Sequence, residues 1–204
     1  SQNDVTPEDV HSAAKTAIAS LTERQAAGGE IAFFGGSFTM VERGYMISLL
    51  SAAHEYIKNG VFKGIRISTR PDGINEEICG ILKKYGVTVV ELGAQSLDDC
   101  VLEMNNRGHT AKQVEDACKL IKKHGFELGL QIMTGLYADD NESAIRTAKQ
   151  IIEIHPDTVR IYPTIVLKDT DLAALYADNK YKPQTLDEAI NQVKIHTQYL
   201  DSPF

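Results

Sequence analysis

Five runs rich in β-branched and apolar residues punctuate this 204-residue chain: Glu30–Phe34, Gly64–Thr69, Val87–Gly93, Glu127–Thr134 and Thr158–Ile165. Their starts lie about 23 to 40 residues apart, which leaves room for one helix between each pair, and a crossover of that length is what parallel strands need. The intervening stretches carry a helical period with readable starts and stops. Thr6 caps a helix, Pro7, Glu8 and Asp9 fill its first turn, and Val10, Ala13, Ala14, Ala17 and Leu21 share one face. Thr110 with Gln113 forms a capping box ahead of Val114, Ala117, Cys118 and Ile121. Asp140 opens a helix bearing Ile145, Ala148, Ile151 and Ile152, and Thr185 opens the last, with Ala189, Ile190 and Val193 inward. Gly60, Gly86 and Gly125 stand where helices should stop. The pattern predicts an α/β fold with a parallel sheet. With no linker, repeat or low-complexity stretch, one domain over residues 1–204 is the simplest reading.

The chain opens on a helix, whereas a βα repeat opens on its strand. The expectation is therefore that a first strand and its loop lie upstream of Ser1, leaving Glu30–Phe34 as an unpaired sheet edge. Such an edge can pair with another chain, so a dimer through it is expected.

Side chains alternate across a strand, and sorting them separates two faces. Ile65 and Ile67, Val90 and Leu92, Leu128, Leu130 and Ile132, and Val159 and Ile161 form the helix-facing rows. The other face then receives Arg66, Ser68 and Arg70, Val89, Glu91 and Gln95, Glu127, Gln131 and Met133, and Arg160 and Tyr162. A closed small barrel fills that side with branched apolar residues. A polar side fits a wider, partly open barrel lined for a polar ligand. It equally fits a solvated sheet face or internal ion pairs such as Arg66 with Glu91.

Polar groups concentrate most in Glu91–Thr110, ELGAQSLDDCVLEMNNRGHT, where Glu91, Gln95 and Arg107 sit among residues that read as buried. An unpartnered buried polar group costs about 1–3 kcal/mol, so such groups usually mark a site or a network. The Gly35-Gly36-Ser37 turn after the first visible strand lets backbone approach a ligand closely. Apolar content of 43 % and charged content of 24 % are those of a globular domain. No apolar run is long enough to span a membrane, and Ser1–Val10 has no signal-peptide pattern. The net charge of −7 argues against a nucleic-acid footprint over the whole surface, although basic strips occur at Lys58–Lys63 and Lys119–Lys123. Cys79, Cys100 and Cys118 match no metal-ligand spacing and read as buried thiols in a reducing, cytoplasmic compartment.

These motifs resemble the radical S-adenosylmethionine (SAM) superfamily. FFGGSFT is similar to its glycine motif, and ISTRPDGI, ELGAQS, NNRGHT and PDTVRIYPTIVLKDTDL are similar to segments of the Elongator catalytic subunit and its relatives. The oxygen-independent coproporphyrinogen III oxidases stand slightly further off. The resemblance spans about Ile31 to Leu200 and implies a partial parallel βα barrel, here lacking its first strand and cluster loop. It implies a 4Fe-4S cluster on a C-x-x-x-C-x-x-C loop, chelated SAM, an external electron donor and a 5′-deoxyadenosyl radical that takes hydrogen from substrate. Carried over by position, Gly35, Gly36 and Ser37 would hold the methionine amino group, and Arg107 the carboxylate. Gln95 and Gln131 would lie at the ribose, and Pro163 would offer backbone near adenine. Ser68 stands where relatives generally carry Glu.

No C-x-x-x-C-x-x-C occurs in this sequence. The expectation is a fragment cut downstream of the cluster loop, binding no cluster and inactive alone. For the parent enzyme, tRNA uridine modification is one expected function. A small-molecule reaction of the coproporphyrinogen oxidase type is a second, with Arg66, Arg70 and Arg160 as candidate carboxylate partners. A non-catalytic βα domain binding an adenosyl compound or a protein is a third. A metal-independent lyase using Glu91 ranks last.

Overall fold

The computed structural model describes residues 5–200. Its strands are β1 (Glu30–Phe33), β2 (Gly64–Thr69), β3 (Val87–Gln95), β4 (Glu127–Thr134) and β5 (Thr158–Pro163), and they lie in sequence order in one sheet. The β1–β2, β2–β3 and β4–β5 pairs are parallel. Strands added in order by right-handed crossovers give the partial parallel βα barrel class expected from the spacing. The boundaries differ slightly from the sequence reading. β1 stops one residue early because Gly35 turns the chain at φ +94°, and β3 runs on through Ala94 to Gln95.

The packing resolves two compact units, Ser1–Leu92 with Ala117–Leu128, and Gly93–Asp116 with Gly129–Phe204. In the first, Ile65, Ile67 and Val90 form the helix-facing row and are fully buried with Leu50 and Leu82 of the helices α3 (Arg43–Lys58) and α4 (Glu76–Lys84). Helix α1 (Pro7–Ser20) starts at the expected Thr6 cap, which Asp9 completes as a capping box, and packs on α3. A short α2 (Glu23–Gly28), capped by Thr22, contributes Ala26 to a small cluster with Ala14 and Phe62. β1 ends the sheet. Beside its outer edge runs a groove of about 660 Å³ whose lining includes Val10, Ala13 and Ala17 of α1 with Ala32 and Phe34.

In the second unit, Leu130 and Ile132 of β4 are fully buried, as are Ala148 and Ile151 of α7 (Asn141–Ile154). Helix α7 packs on α9 (Leu186–Leu200). A short α5 (Asp99–Met104) precedes α6 (Ala111–Lys123), whose first turn carries the expected Thr110–Gln113 box. Helix α8 (Asp171–Ala177) is capped by Thr170.

Cys79 and Cys118 are buried as expected, but Cys100 is exposed. It lies in the first turn of α5, whose inward positions are taken by Val101 and Leu102, each 1 % exposed.

Candidate functional site

The polar strand face divides into a self-satisfied part and an open part. In the first unit, Arg66 pairs with Glu30 at 2.8 Å and with fully buried Glu91 at 2.8 Å, while Glu127 stands 3.7 Å away. The internal ion pair of Arg66 with Glu91 is formed. Removing either partner would strand a buried charge, so these residues hold β1, β2 and β3 in register. Arg70 is bound bidentately by Asp72 at 2.8 and 2.9 Å. Two of the three arginines considered for a polycarboxylate substrate are thus engaged by the protein's own carboxylates, and Glu91 is an ion-pair partner of Arg66.

The glycine turn lies at the carboxyl end of β1. Gly35 and Gly36 take φ of +94° and +110°, where L side chains are strained, and nothing lies within 4 Å of where a Cβ would project. The main chain there is open to a ligand. Ser37 precedes a 3-10 turn at Phe38–Met40 yet makes no side-chain cap bond, which leaves its hydroxyl for other work. The turn is pinned behind by Phe38 stacking on Phe33 at 4.6 Å and by the hydroxyls of Thr39 and Thr69 at 2.6 Å. Ser68 precedes Thr69 at the carboxyl end of β2, in register with Glu91. The structure therefore gathers Gly35, Gly36, Ser37 and Ser68 at the same ends of two paired strands.

In the second unit, Gln95 closes β3 at φ +66°. The Ser96 N–H donates to the Ala94 carbonyl at 2.8 Å, so Gln95 is the centre of a γ-turn with positive φ. Such a conformation costs a non-glycine residue about 1–3 kcal/mol and persists only where surroundings enforce it. The enforcement is visible. The Leu97 N–H donates to Thr147 Oγ1 at 3.2 Å, the Gln150 amide donates to the Leu97 carbonyl at 3.0 Å, and Arg146 pairs with Asp98 at 2.6 Å. All three come from one face of α7. Gln95 does not cap α5; Asp98 does, accepting from the Cys100 and Val101 N–H groups.

Arg107 is half-buried in NNRGHT, between Asn106 at φ +51° and Gly108 at φ +73°. Asn105 fixes that segment: its amide donates to the Val101 carbonyl at 2.7 Å and the Tyr137 carbonyl at 2.8 Å, and its Oδ1 accepts from the Tyr137 N–H at 3.1 Å. His109 is buried, with Nε2 3.1 Å from the Ala94 carbonyl. Gln131 lies mid-strand on β4 beside Arg160, and Pro163 ends β5 beside Thr134. Beyond Thr134, Gly135 is a hub. Its carbonyl accepts from the buried Tyr181 hydroxyl at 2.7 Å and its N–H donates to Gln192 at 3.2 Å. Its φ of +70° strains any L side chain, and Gln184 Oε1 lies 2.5 Å from where a Cβ would stand. Burial raises the pKa of Asp139, whose carboxylate also accepts from the Gly135 N–H, and burial followed by Asp139 raises that of Tyr181.

Nothing in the sequence marks the roles of Asn105, Thr147 or Gln192, because each acts through a contact distant along the chain. No group of three His, Cys, Asp or Glu among the described residues could hold a metal ion. Burial lifts the Cys79 thiol to about 11, the reverse of what a thiolate ligand needs. The donors of an iron–sulfur cluster are not assembled by the described residues. An adenosyl sulfonium does fit what they offer, with open backbone at Gly35–Gly36 and an unused hydroxyl at Ser37.

Residues 4–151 match the family described as the Radical SAM superfamily, and residues 156–202 the Radical_SAM C-terminal domain. The chain is 36 % identical over 127 residues to a tRNA uridine(34) acetyltransferase of Methanocaldococcus jannaschii, covering 61 % of this chain and 24 % of that protein. It is 32 % identical over 133 residues to human Elongator complex protein 3, covering 64 % of this chain and 24 % of that protein. The chain thus spans about a quarter of the length of these curated relatives. Among solved structures, the Elp3 of Methanocaldococcus infernus with residues 1–46 deleted superposes with a TM-score of 0.82 at 25 % identity, over 98 % of this chain and 53 % of that one. Coproporphyrinogen III oxidase from Escherichia coli shares the fold, with a TM-score of 0.66 at 16 % identity over 98 % of this chain and 46 % of that one.

Proposed function

This chain belongs to the radical SAM superfamily, and on that premise we propose that residues 1–204 are the core domain of a longer radical SAM enzyme that modifies tRNA uridine in the cytoplasm. The observation that carries the reading is the Gly35–Gly36 turn, held in left-handed backbone with open space where side chains would stand, beside an uncommitted Ser37 hydroxyl. In this reading the carbonyls of Gly35 and Gly36 and the Ser37 hydroxyl accept from the methionine ammonium. Arg107 binds the carboxylate, for which a guanidinium is well shaped. Ser68, Gln95 and Gln131 meet the ribose hydroxyls, and the Pro163 backbone meets adenine. When bound, SAM with a reduced 4Fe-4S cluster supplies radical hydrogen abstraction. The cluster's three cysteines lie outside these residues, so the chain alone is inactive. Another chain can add at the outer edge of β1.

The tRNA assignment draws on the similarity to a tRNA uridine(34) acetyltransferase. The porphyrinogen alternative is disfavoured by the engagement of Arg66 and Arg70. The test uses the full-length protein under anaerobic conditions. It should cleave SAM after cluster reconstitution and bind tRNA with an affinity that falls as salt rises. The 204-residue chain treated in the same way should give no cluster absorbance. Stoichiometric iron and sulfide in that chain, or salt-independent failure of the full protein to bind tRNA, would contradict the proposal.

A further inference from the structure

Deepening that reading of the site, we propose that His109 is a positioning residue: it locks the left-handed γ-turn that presents Gln95 to the adenosyl ligand. The Ala94 carbonyl is the shared anchor. It accepts the Ser96 N–H at 2.8 Å, which closes the turn, and lies 3.1 Å from His109 Nε2. A carbonyl only accepts, so Nε2 carries the hydrogen and donates. Ala94 is fully buried and His109 is 6 % exposed, so water cannot take the place of that donor. The other ring nitrogen, Nδ1, is buried and makes no hydrogen bond among the described residues. The imidazole is therefore held in place by one polar contact, and that contact is to the residue preceding Gln95. An apolar side chain would fill the same space without leaving an unsatisfied nitrogen. Its absence here points to the bond as the reason for histidine.

The delivery of His109 is equally specific. Asn105 fixes the start of NNRGHT against Tyr137, and the left-handed Asn106 and Gly108 turn the chain so that His109 enters beneath the end of β3. The same six residues thus carry Arg107 and clamp Gln95. His109 touches neither ligand nor reacting atoms in this account and works through Gln95.

The test is made on the isotopically labelled 204-residue chain and reads two quantities. Backbone couplings and shifts report the φ of Gln95, and calorimetry reports affinity for S-adenosylhomocysteine. His109→Gln, whose amide can still donate to Ala94, should keep the left-handed Gln95 and bind within about threefold of wild type; His109→Leu should release Gln95 to extended backbone and weaken binding about tenfold. In a Gln95→Ala background His109→Leu should weaken binding no further. If His109→Leu does not fold, pairing it with Gln95→Gly should restore folding, because glycine needs no clamp at positive φ. An unchanged Gln95 backbone in His109→Leu, equal weakening in the Gln95→Ala background, or no rescue by Gln95→Gly would each overturn the assignment. A wild-type chain that binds no S-adenosylhomocysteine would count against the functional reading, while the Gln95 backbone measurement would still decide the role of His109.

Discussion

The glycine turn at Gly35–Ser37 and the Gln95–Thr110 segment, both assigned to one ligand in the proposed function, are built in opposite ways. The first gets its shape from freedom: two glycines at positive φ, open space where their Cβ atoms would stand and a serine whose side chain makes no cap bond. The second gets its shape from constraint: a non-glycine at φ +66° whose following residues are held by Thr147, Gln150 and Arg146, with the proposed His109 clamp on Ala94. Backbone freedom is encoded locally and is visible in the sequence. Constraint is encoded in contacts up to about fifty positions away. The consequence is a difference in fragility. Substitutions in the first region should act mainly on ligand binding, and substitutions in the second should act on folding as well.

The largest effect is expected at Asn105→Ala, which removes three hydrogen bonds from a half-buried side chain and should cost about 2–3 kcal/mol in urea unfolding. A cost below about 0.5 kcal/mol would mean that the segment is not held as described. Gly36→Ala comes next. The space is open, so the cost is backbone strain alone, about 1–2 kcal/mol, with S-adenosylhomocysteine affinity reduced about tenfold. An alanine variant as stable as wild type would deny the turn its left-handed geometry.

Acid should separate the regions further. Burial lowers the pKa of His196 on α9 to about 4, and its Nδ1 has no hydrogen bond among the described residues. The native state therefore resists a proton that the unfolded chain accepts. This stabilising contribution is complete above pH 6.5 and is lost as pH falls from 6.5 towards 4, by up to about 1.4 kcal/mol per pH unit. His196→Leu should flatten that slope. Hydrogen exchange across the window should loosen the second unit before Gly35–Ser37, and the reverse order would break the comparison. The smallest effect on stability belongs to Ser37→Ala, within about 0.5 kcal/mol, although affinity should fall about fivefold. A larger stability loss would show that Ser37 has a structural role.

Much of the architecture was legible because its signals are local. The Thr6 cap, the Thr110–Gln113 box, the glycines after helices and the period-two rows on β2 and β4 appear where periodicity and capping put them. The site was legible in part. Gly35 and Gly36 announce their backbone, but Gln95 gives no sign of its left-handed turn, since nothing in ELGAQS forbids an ordinary strand end. The engagement of Arg66 was visible only as one of several pairings, because register decides which carboxylate it meets. Cys100 shows the limit of composition: thiols are usually buried, but this one faces outward from the first turn of a short helix.

The central claim is that the carboxyl ends of these strands receive an adenosyl ligand while the ion-pair network of Arg66 with Glu30 and Glu91 serves only the fold. Titrating the labelled chain with S-adenosylhomocysteine and following backbone amide shifts tests it most directly. The account predicts saturable shifts at Gly35, Gly36, Ser37, Gln95 and Arg107, with Glu30, Arg66 and Glu91 unmoved. No saturable shifts, or shifts centred on Arg66 and Glu91, would contradict it.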